Sequence, residues 1–363
     1  MNTSRGDLLC RELGSSGIKV FPLGVGCWAI GGADSNLGLP MGWSTAKDED
    51  SLRGLIRAFE LGASLFDTAD VYGHGHSERL LGRFLREVPR DQVVIASKVG
   101  YFAGTASSAY RPLHMRHQLE QTLENLGTDY LDIYFFHNFN FGSRDLYLTD
   151  GVEQMRSFRE QGLVRAIGMR GPHRFALERL TTPKNKRDDK YVRFREAFER
   201  IKPEVLAVRY NMLSPDGPDD IFTWSAQHRI GVLINKPLGQ GLLTDKYDSD
   251  YPPVFGPGDH RARKRWFTPA ALAVIRDGLE PLRHRFGPRQ ADLVRVALRY
   301  CLQRAENAAV LVGFTTPEQV EMNFTYLGEP LTTDDLAFVR ATMEPLKKTL
   351  DAGGEVFLDE ATT

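Results

Sequence analysis

Eight short apolar runs, separated by segments of helical period, constrain the fold of this chain more than any other feature. They occupy residues 21–26, 64–68, 93–98, 131–136, 164–169, 205–210, 231–235 and 309–313. They are mostly apolar rather than alternating, which is the pattern of parallel strands buried on both faces. Between them, residues 48–61, 77–86, 114–126, 151–161, 222–228 and 317–324 place Leu, Phe and Ala at helical spacing. Strand and helix alternating in this way predict an α/β fold, a (β/α)8 TIM barrel. A doubly wound open sheet would want a glycine-rich turn leading straight into a helix after the first strand. Gly24-Val25-Gly26-Cys27-Trp28 lacks the third glycine of that turn.

The 363 residues fit a single barrel domain, 1–363, with long loops. Residues 9–20, with Gly14 and Gly17, predict a short hairpin ahead of the barrel. The charged stretch 181–202 predicts an inserted, solvated helix. Residues 244–267 carry Pro252, Pro253, Pro257 and the run His260-Arg261-Ala262-Arg263-Lys264-Arg265. A loop that long at the C-terminal end of a strand is where a barrel puts a lid. Residues 332–363 predict a terminal helix and tail packed outside the barrel.

Composition narrows the partners. With 46 basic and 47 acidic residues, the balance suggests neither nucleic acid nor a membrane surface. No run of apolar residues is long enough to span a bilayer. The expected partner is a small molecule, and self-association into a homo-oligomer is left open. Cys10, Cys27 and Cys301 are odd in number and widely spaced, as free thiols in a reducing compartment are. Residues 1–7 lead into no apolar leader, so a cytoplasmic location is expected.

The polar residues at the strand ends carry the chemistry. Asp67 ends the second run, Tyr72 lies five residues on, Lys98 ends the third and His137 follows the fourth. In a barrel these ends share one rim, so the four side chains are expected to converge. A phenol with a pKa of about 10 gives up a proton reluctantly at neutral pH. A lysine beside it lowers that value, an aspartate holds the lysine, and a histidine orients the oxygen that receives the proton. No serine or cysteine nucleophile stands beside a base. His74-Gly75-His76 lacks a third ligand at useful spacing, so no metal site is expected.

The motifs Phe66-Asp67-Thr68-Ala69-Asp70-Val71-Tyr72-Gly73, Ile95-Ala96-Ser97-Lys98 and Asp132-Ile133-Tyr134-Phe135-Phe136-His137 together resemble those of the aldo-keto reductase superfamily. The likeness runs from Leu13-Gly14 to Asn323. It implies the same barrel, a NAD(P)H-dependent reduction of an aldehyde or ketone or its reverse, and Asp67, Tyr72, Lys98 and His137 as a catalytic tetrad. It also implies a pyrophosphate loop at Pro237, Leu238, Gly239, Gly241 and Leu243. The adenosine end falls to Gly313, Thr315, Thr316, Gln319 and Asn323. Tyr210 matches the aromatic that stacks on the nicotinamide ring, and Gly26, Cys27 and Trp28 match the loop lining the mouth. Trp28, Trp43, Tyr101 and Asn138 are the substrate-side candidates. Two alternatives stand beside it: a redox-neutral lyase or epimerase that retains its cofactor, and a cofactor-sensing subunit of a channel, which shares much of the motif set.

Two departures from the family pattern stand out. The fifth run ends Gly168-Met169-Arg170-Gly171 where the family has Ser-Asn, and Ala207 replaces a glutamine; both normally hold the nicotinamide amide. Arg170 either donates to that amide in their place or binds an acidic substrate. No Lys or Arg lies between residues 307 and 324, where relatives place the cation that grips a 2′-phosphate. NADP(H) remains the expectation as the family's usual cofactor, with NAD as the alternative.

Overall fold

The computed structural model describes residues 8–174, 176–187, 189–214 and 220–360. Residues 1–7, where no leader was expected, lie outside the described residues. The chain opens with a hairpin of β1 (Arg11–Glu12) and β2 (Lys19–Val20). Its turn needs Gly14: the residue sits at φ 59°, and a Cβ there would lie 2.3 Å from the Arg229 carbonyl oxygen.

The barrel then runs in chain order. β3 (Leu23–Gly26) is followed by a small hairpin, β4 (Ser35–Asn36) and β5 (Leu39–Pro40), and by α1 (Asp48–Glu60). Next come β6 (Leu65–Asp67), α2 (His76–Leu85), β7 (Val94–Val99), α3 (Pro112–Leu126), β8 (Leu131–Phe136) and α4 (Leu148–Glu160). β9 (Val164–Arg170) leads through α5 (Ala176–Thr181) and α6 (Lys190–Ile201) to β10 (Val205–Arg209), α7 (Ile221–Gln227) and β11 (Gly231–Asn235). α8 (Pro269–Phe286), α9 (Gln290–Leu302), β12 (Ala308–Gly313), α10 (Pro317–Thr325) and α11 (Thr333–Ala352) complete it. All eight long strands pair in parallel, and β12 closes on β3 through the pairs Val310–Leu23 and Gly313–Gly26. The molecule is a (β/α)8 barrel.

Two apolar layers hold it together. One fills the barrel: Leu65, Ala96, Ile133, Phe135, Ala166, Ala207, Leu233 and Leu311 point inward, with Leu13, Ile18 and Val20 of the N-terminal hairpin beneath them. The other, larger layer lies between strands and helices. Gly168 belongs to the first: a Cβ there would meet the Phe135 ring at 2.4 Å. Each fully buried Leu or Phe in these layers is worth roughly 1.5–3 kcal/mol.

Several expectations need correction. The stretch 181–202 is not an addition to the barrel, because α6 is the helix that links β9 to β10. Phe194, Ala197, Phe198 and Ile201 are its buried face. The hairpin β4–β5 and the helices α8 and α9 were not anticipated. β10 stops at Arg209, so Tyr210 falls outside it.

Candidate active site

The C-terminal ends of the strands meet at one rim, as parallel closure requires. Asp67 ends β6, and the chain then turns back on itself through Tyr72 N–H to Ala69 C=O (3.0 Å) and Gly75 N–H to Asp70 C=O (2.8 Å). Gly31 lets the mouth loop press on this turn, since a Cβ there would sit 2.9 Å from the Tyr72 backbone carbon. The Lys98 ammonium donates to Asp67 Oδ2 at 2.7 Å and to the Thr68 carbonyl. It also lies 4.8 Å from the centre of the Tyr72 ring. His137 follows β8 directly, with its ring 5.9 Å from Tyr72 and 4.7 Å from Tyr101. The four residues converge.

Burial decides their protonation. It pushes the Tyr72 phenol above its ordinary value, although Lys98 and Arg170 pull it back. The lysine alone was expected to lower it; desolvation is the larger effect. Burial also raises Asp67 against the pull of Lys98. It opposes charge on Lys98, yet Asp67 and Tyr72 hold the ammonium protonated. Burial, then Lys98 and Arg170, drive His137 well below the usual imidazole range. A protonated phenol and a neutral imidazole result, and both can donate a hydrogen bond to one substrate oxygen.

Around them lies a cavity of about 430 Å³. Gly26, Trp28, Trp43, Tyr101 and Arg170 line it, as do Pro237, Leu238, Gly241, Gly313, Thr315, Gln319 and Asn323. Other candidates do not reach it. Cys27 is buried with its thiol pushed up by burial. Asn138 is spent on the loop after β8, donating to Gly100 C=O at 2.7 Å and accepting from Asn140 N–H. Gly239 and Leu243 shape the loop after β11 from behind, and Thr316 caps α10 by accepting from Gln319 N–H. Tyr210 is 2% exposed and stacks on Tyr300 at 5.3 Å. Strand alternation explains this: Val205 and Ala207 point inward, so Arg209 faces the mouth and Tyr210 faces the helices.

The sequence reading missed the charge of this cavity. Lys98, Arg170, Arg174, Arg179, Lys190, Arg209, Lys236, Lys246, Arg263 and Lys264 line it, and among the described lining residues Asp67 is the one carboxylate. Burial and neighbouring cations pull Arg209 down to about 10 and Lys264 down to about 7. Lys236, 4.7 Å over the Trp28 ring, falls well below its ordinary value for the same reasons. The C-terminal tail also closes on the mouth. Phe357 lines it, and Lys264 bridges to Phe357 in antiparallel fashion.

These residues fit a dinucleotide. His137 Nδ1, Arg170 Nε, Asn235 Oδ1 and Gln240 Nε2 are buried without a hydrogen-bond partner. Buried polar atoms of that kind call for a ligand. Among the described residues no three His, Cys, Asp or Glu side chains form a metal-ligand cluster. No helix among them is long and apolar enough to cross a membrane.

Comparison with known proteins adds an independent line. The model of the aldo/keto reductase family matches residues 22–344. The chain is 27% identical over 349 residues to an NADH-specific methylglyoxal reductase of Escherichia coli K12, covering 93% of this chain and 98% of that protein. It is 30% identical over 339 residues to a chloroplastic pyridoxal reductase of Arabidopsis thaliana, covering 88% and 82%. A solved glycerol dehydrogenase of Gluconobacter oxydans superposes with a TM-score of 0.70 at 23% identity, covering 93% of this chain and 95% of that one.

Proposed function

We propose, from the premise that the chain belongs to the aldo/keto reductase family, that Tyr72 is the proton donor in its reduction of an aldehyde or ketone. The chain is a NAD(P)H-dependent oxidoreductase acting between carbonyl and alcohol, and the relatives named above are reductases or dehydrogenases. One observation carries the assignment of Tyr72: the buried Lys98–Asp67 pair at 2.7 Å lies against the Tyr72 ring, its ammonium 4.8 Å from the ring centre, with neutral His137 5.9 Å away on the same ring.

The nicotinamide, when bound, supplies the hydride. Every other task falls to side chains. Neutral His137 donates one ring N–H to the carbonyl oxygen and orients it. The Tyr72 hydroxyl donates a second hydrogen bond and passes its proton as charge grows on that oxygen. Lys98 stabilises the phenolate left behind, which costs little reorganisation because Asp67 already holds the ammonium in place. Trp28, Trp43 and Tyr101 shield the oxygen from water. Asn235 and Gln240 are the groups with unpaired buried atoms to hold the cofactor.

NADPH is the proposed donor. The excess of cations lining the cavity supports it, since a 2′-phosphate adds negative charge to the ligand. Three unpaired cysteines support a reducing cytoplasm. The test is Tyr72→Phe, assayed by loss of NADPH absorbance with a panel of aldehydes. Turnover is expected to fall by at least about 10²-fold with the cofactor Kd nearly unchanged; undiminished turnover would overturn the role of Tyr72. The same titrations are expected to give a lower Kd for NADPH than for NADH, and equal values would remove the preference.

A further inference from the structure

On the side of the cavity nearest His137, the ends of β9 and β10 and the elements between them build a wall of cations. Arg170 ends β9 and pairs in register with Ala207 of β10. The alanine leaves room above it, and Arg209 stands two residues further along the same inward face. Arg179 of α5 and Lys190 at the start of α6 complete the wall. Arg170 is close enough to act on Asp67, Tyr72, Tyr101 and His137. The wall therefore borders the reacting oxygen at Arg170, and at Arg209 it abuts Asn235, the last residue of β11.

Among the described residues Arg170, Lys190 and Arg209 form no ion pair with a carboxylate, and Arg179 has only a long one to Glu360. Arg170 Nε is buried and has no hydrogen-bond partner. Arg209 is open to the cavity but enclosed elsewhere, and its neighbours Arg179 and Arg170 depress it. Lys190 is depressed by burial, then by Arg209, Arg179 and Arg174. Where the protein does bring a carboxylate to the outer end of the wall, the cations take it. Glu360 accepts from Arg187 at 2.7 Å, lies 3.7 Å from Arg179 and is 6% exposed. Like charges packed this closely repel one another until an anion enters between them.

We propose that Arg170, Arg179, Lys190 and Arg209 form a substrate subsite that takes an anionic group, a phosphate monoester or a carboxylate, carried on the same molecule as the carbonyl. The inference rests on the reading of Tyr72 as proton donor at this mouth. Planar guanidinium forks suit either anion, because both present paired oxygens.

Steady-state kinetics at saturating NADPH test this with three aldehydes: neutral glyceraldehyde, glyceraldehyde 3-phosphate and succinic semialdehyde. Wild-type kcat/KM is expected to favour one or both anionic aldehydes over glyceraldehyde by at least about twentyfold, mainly through KM. Preference for the phosphate alone, for the carboxylate alone, or for both, each supports the subsite and says which anion it takes. In Arg209→Met and, separately, Arg179→Met, that ratio is expected to collapse toward one, with Arg209→Lys retaining part of it. Equal kcat/KM for all three aldehydes in the wild type would overturn the inference while leaving the reductase reading intact. A loss in Arg209→Met that appears instead as weakened NADPH binding, equal for every aldehyde, would overturn it in favour of a cofactor contact. No turnover of any aldehyde would overturn the reading beneath it.

Discussion

Lys264 lines the cavity with its charge held near the point of balance. Its ammonium donates to Gln240 Oε1 and lies 5.6 Å over the Phe357 ring. Burial, then Arg209, Arg179 and Arg263, hold its pKa at about 7. At pH 8 the empty site therefore leaves this amine mostly neutral. An incoming dinucleotide phosphate reverses the balance by favouring the charged form, so binding takes up a proton. Calorimetric titration of NADPH at pH 8 in two buffers of different ionisation enthalpy is expected to give different apparent enthalpies. Lys264→Met is expected to shrink that difference, and identical enthalpies in the wild type would sink the idea. Such effects were hidden in the sequence for a simple reason. Asp67, Tyr72, Lys98 and His137 are legible as a group because each sits at or just past a strand end. Arg209 and Tyr210 differ only by one step of strand alternation, and that step decides which of them faces the cavity.

At the scale of elements, the seam between the β6–α2 turn and β7 carries its own strain. Asp70 is 5% exposed, and only its Oδ2 receives a side-chain hydrogen bond, from Gln118 at 3.2 Å. Burial, with Glu78 beside it, raises its pKa from 3.8 to about 8. A carboxyl raised on folding contributes stability that is full below pH 3.8 and lost as pH climbs toward 8. Asp70→Asn keeps the acceptor oxygen without the charge. It is expected to stabilise the protein at pH 7 by at least about 1 kcal/mol and to flatten the fall in stability between mild acid and neutrality. Urea melts across that range check it, and an unchanged or lower midpoint at pH 7 would count against it. The barrel strands were legible because burial on both faces leaves nearly unbroken apolar runs. α6 was misread as an addition because Arg193, Arg195 and Arg200 crowd around its buried Phe194, Ala197, Phe198 and Ile201. α8 and α9 follow the long loop after β11, where no apolar run signals the next strand until β12.

Across the whole molecule, the two ends of the barrel do different work. The mouth is polar and charged. The floor is stoppered by Leu13, Ile18 and Val20, which lie beneath the inward-facing strand residues and are almost wholly buried. Leu13→Ala is therefore expected to cost about 2–4 kcal/mol in an unfolding titration while leaving kcat/KM nearly unchanged. A matching loss of catalytic efficiency would mean that floor and mouth are mechanically joined. The closure of β12 on β3 sets a different kind of requirement. Leu23 and Val310 are partners although most of the chain lies between them. Contacts of such long range form late and slowly, because the loop must close before any of them is rewarded. Until then every folding intermediate carries two open sheet edges, and the residues that will bind phosphate and protonate substrate stand on separate arms of an unfinished cylinder. Dilution should therefore matter more than time for recovering active protein from denaturant, since a neighbouring chain's edge is the chief competitor of the chain's own.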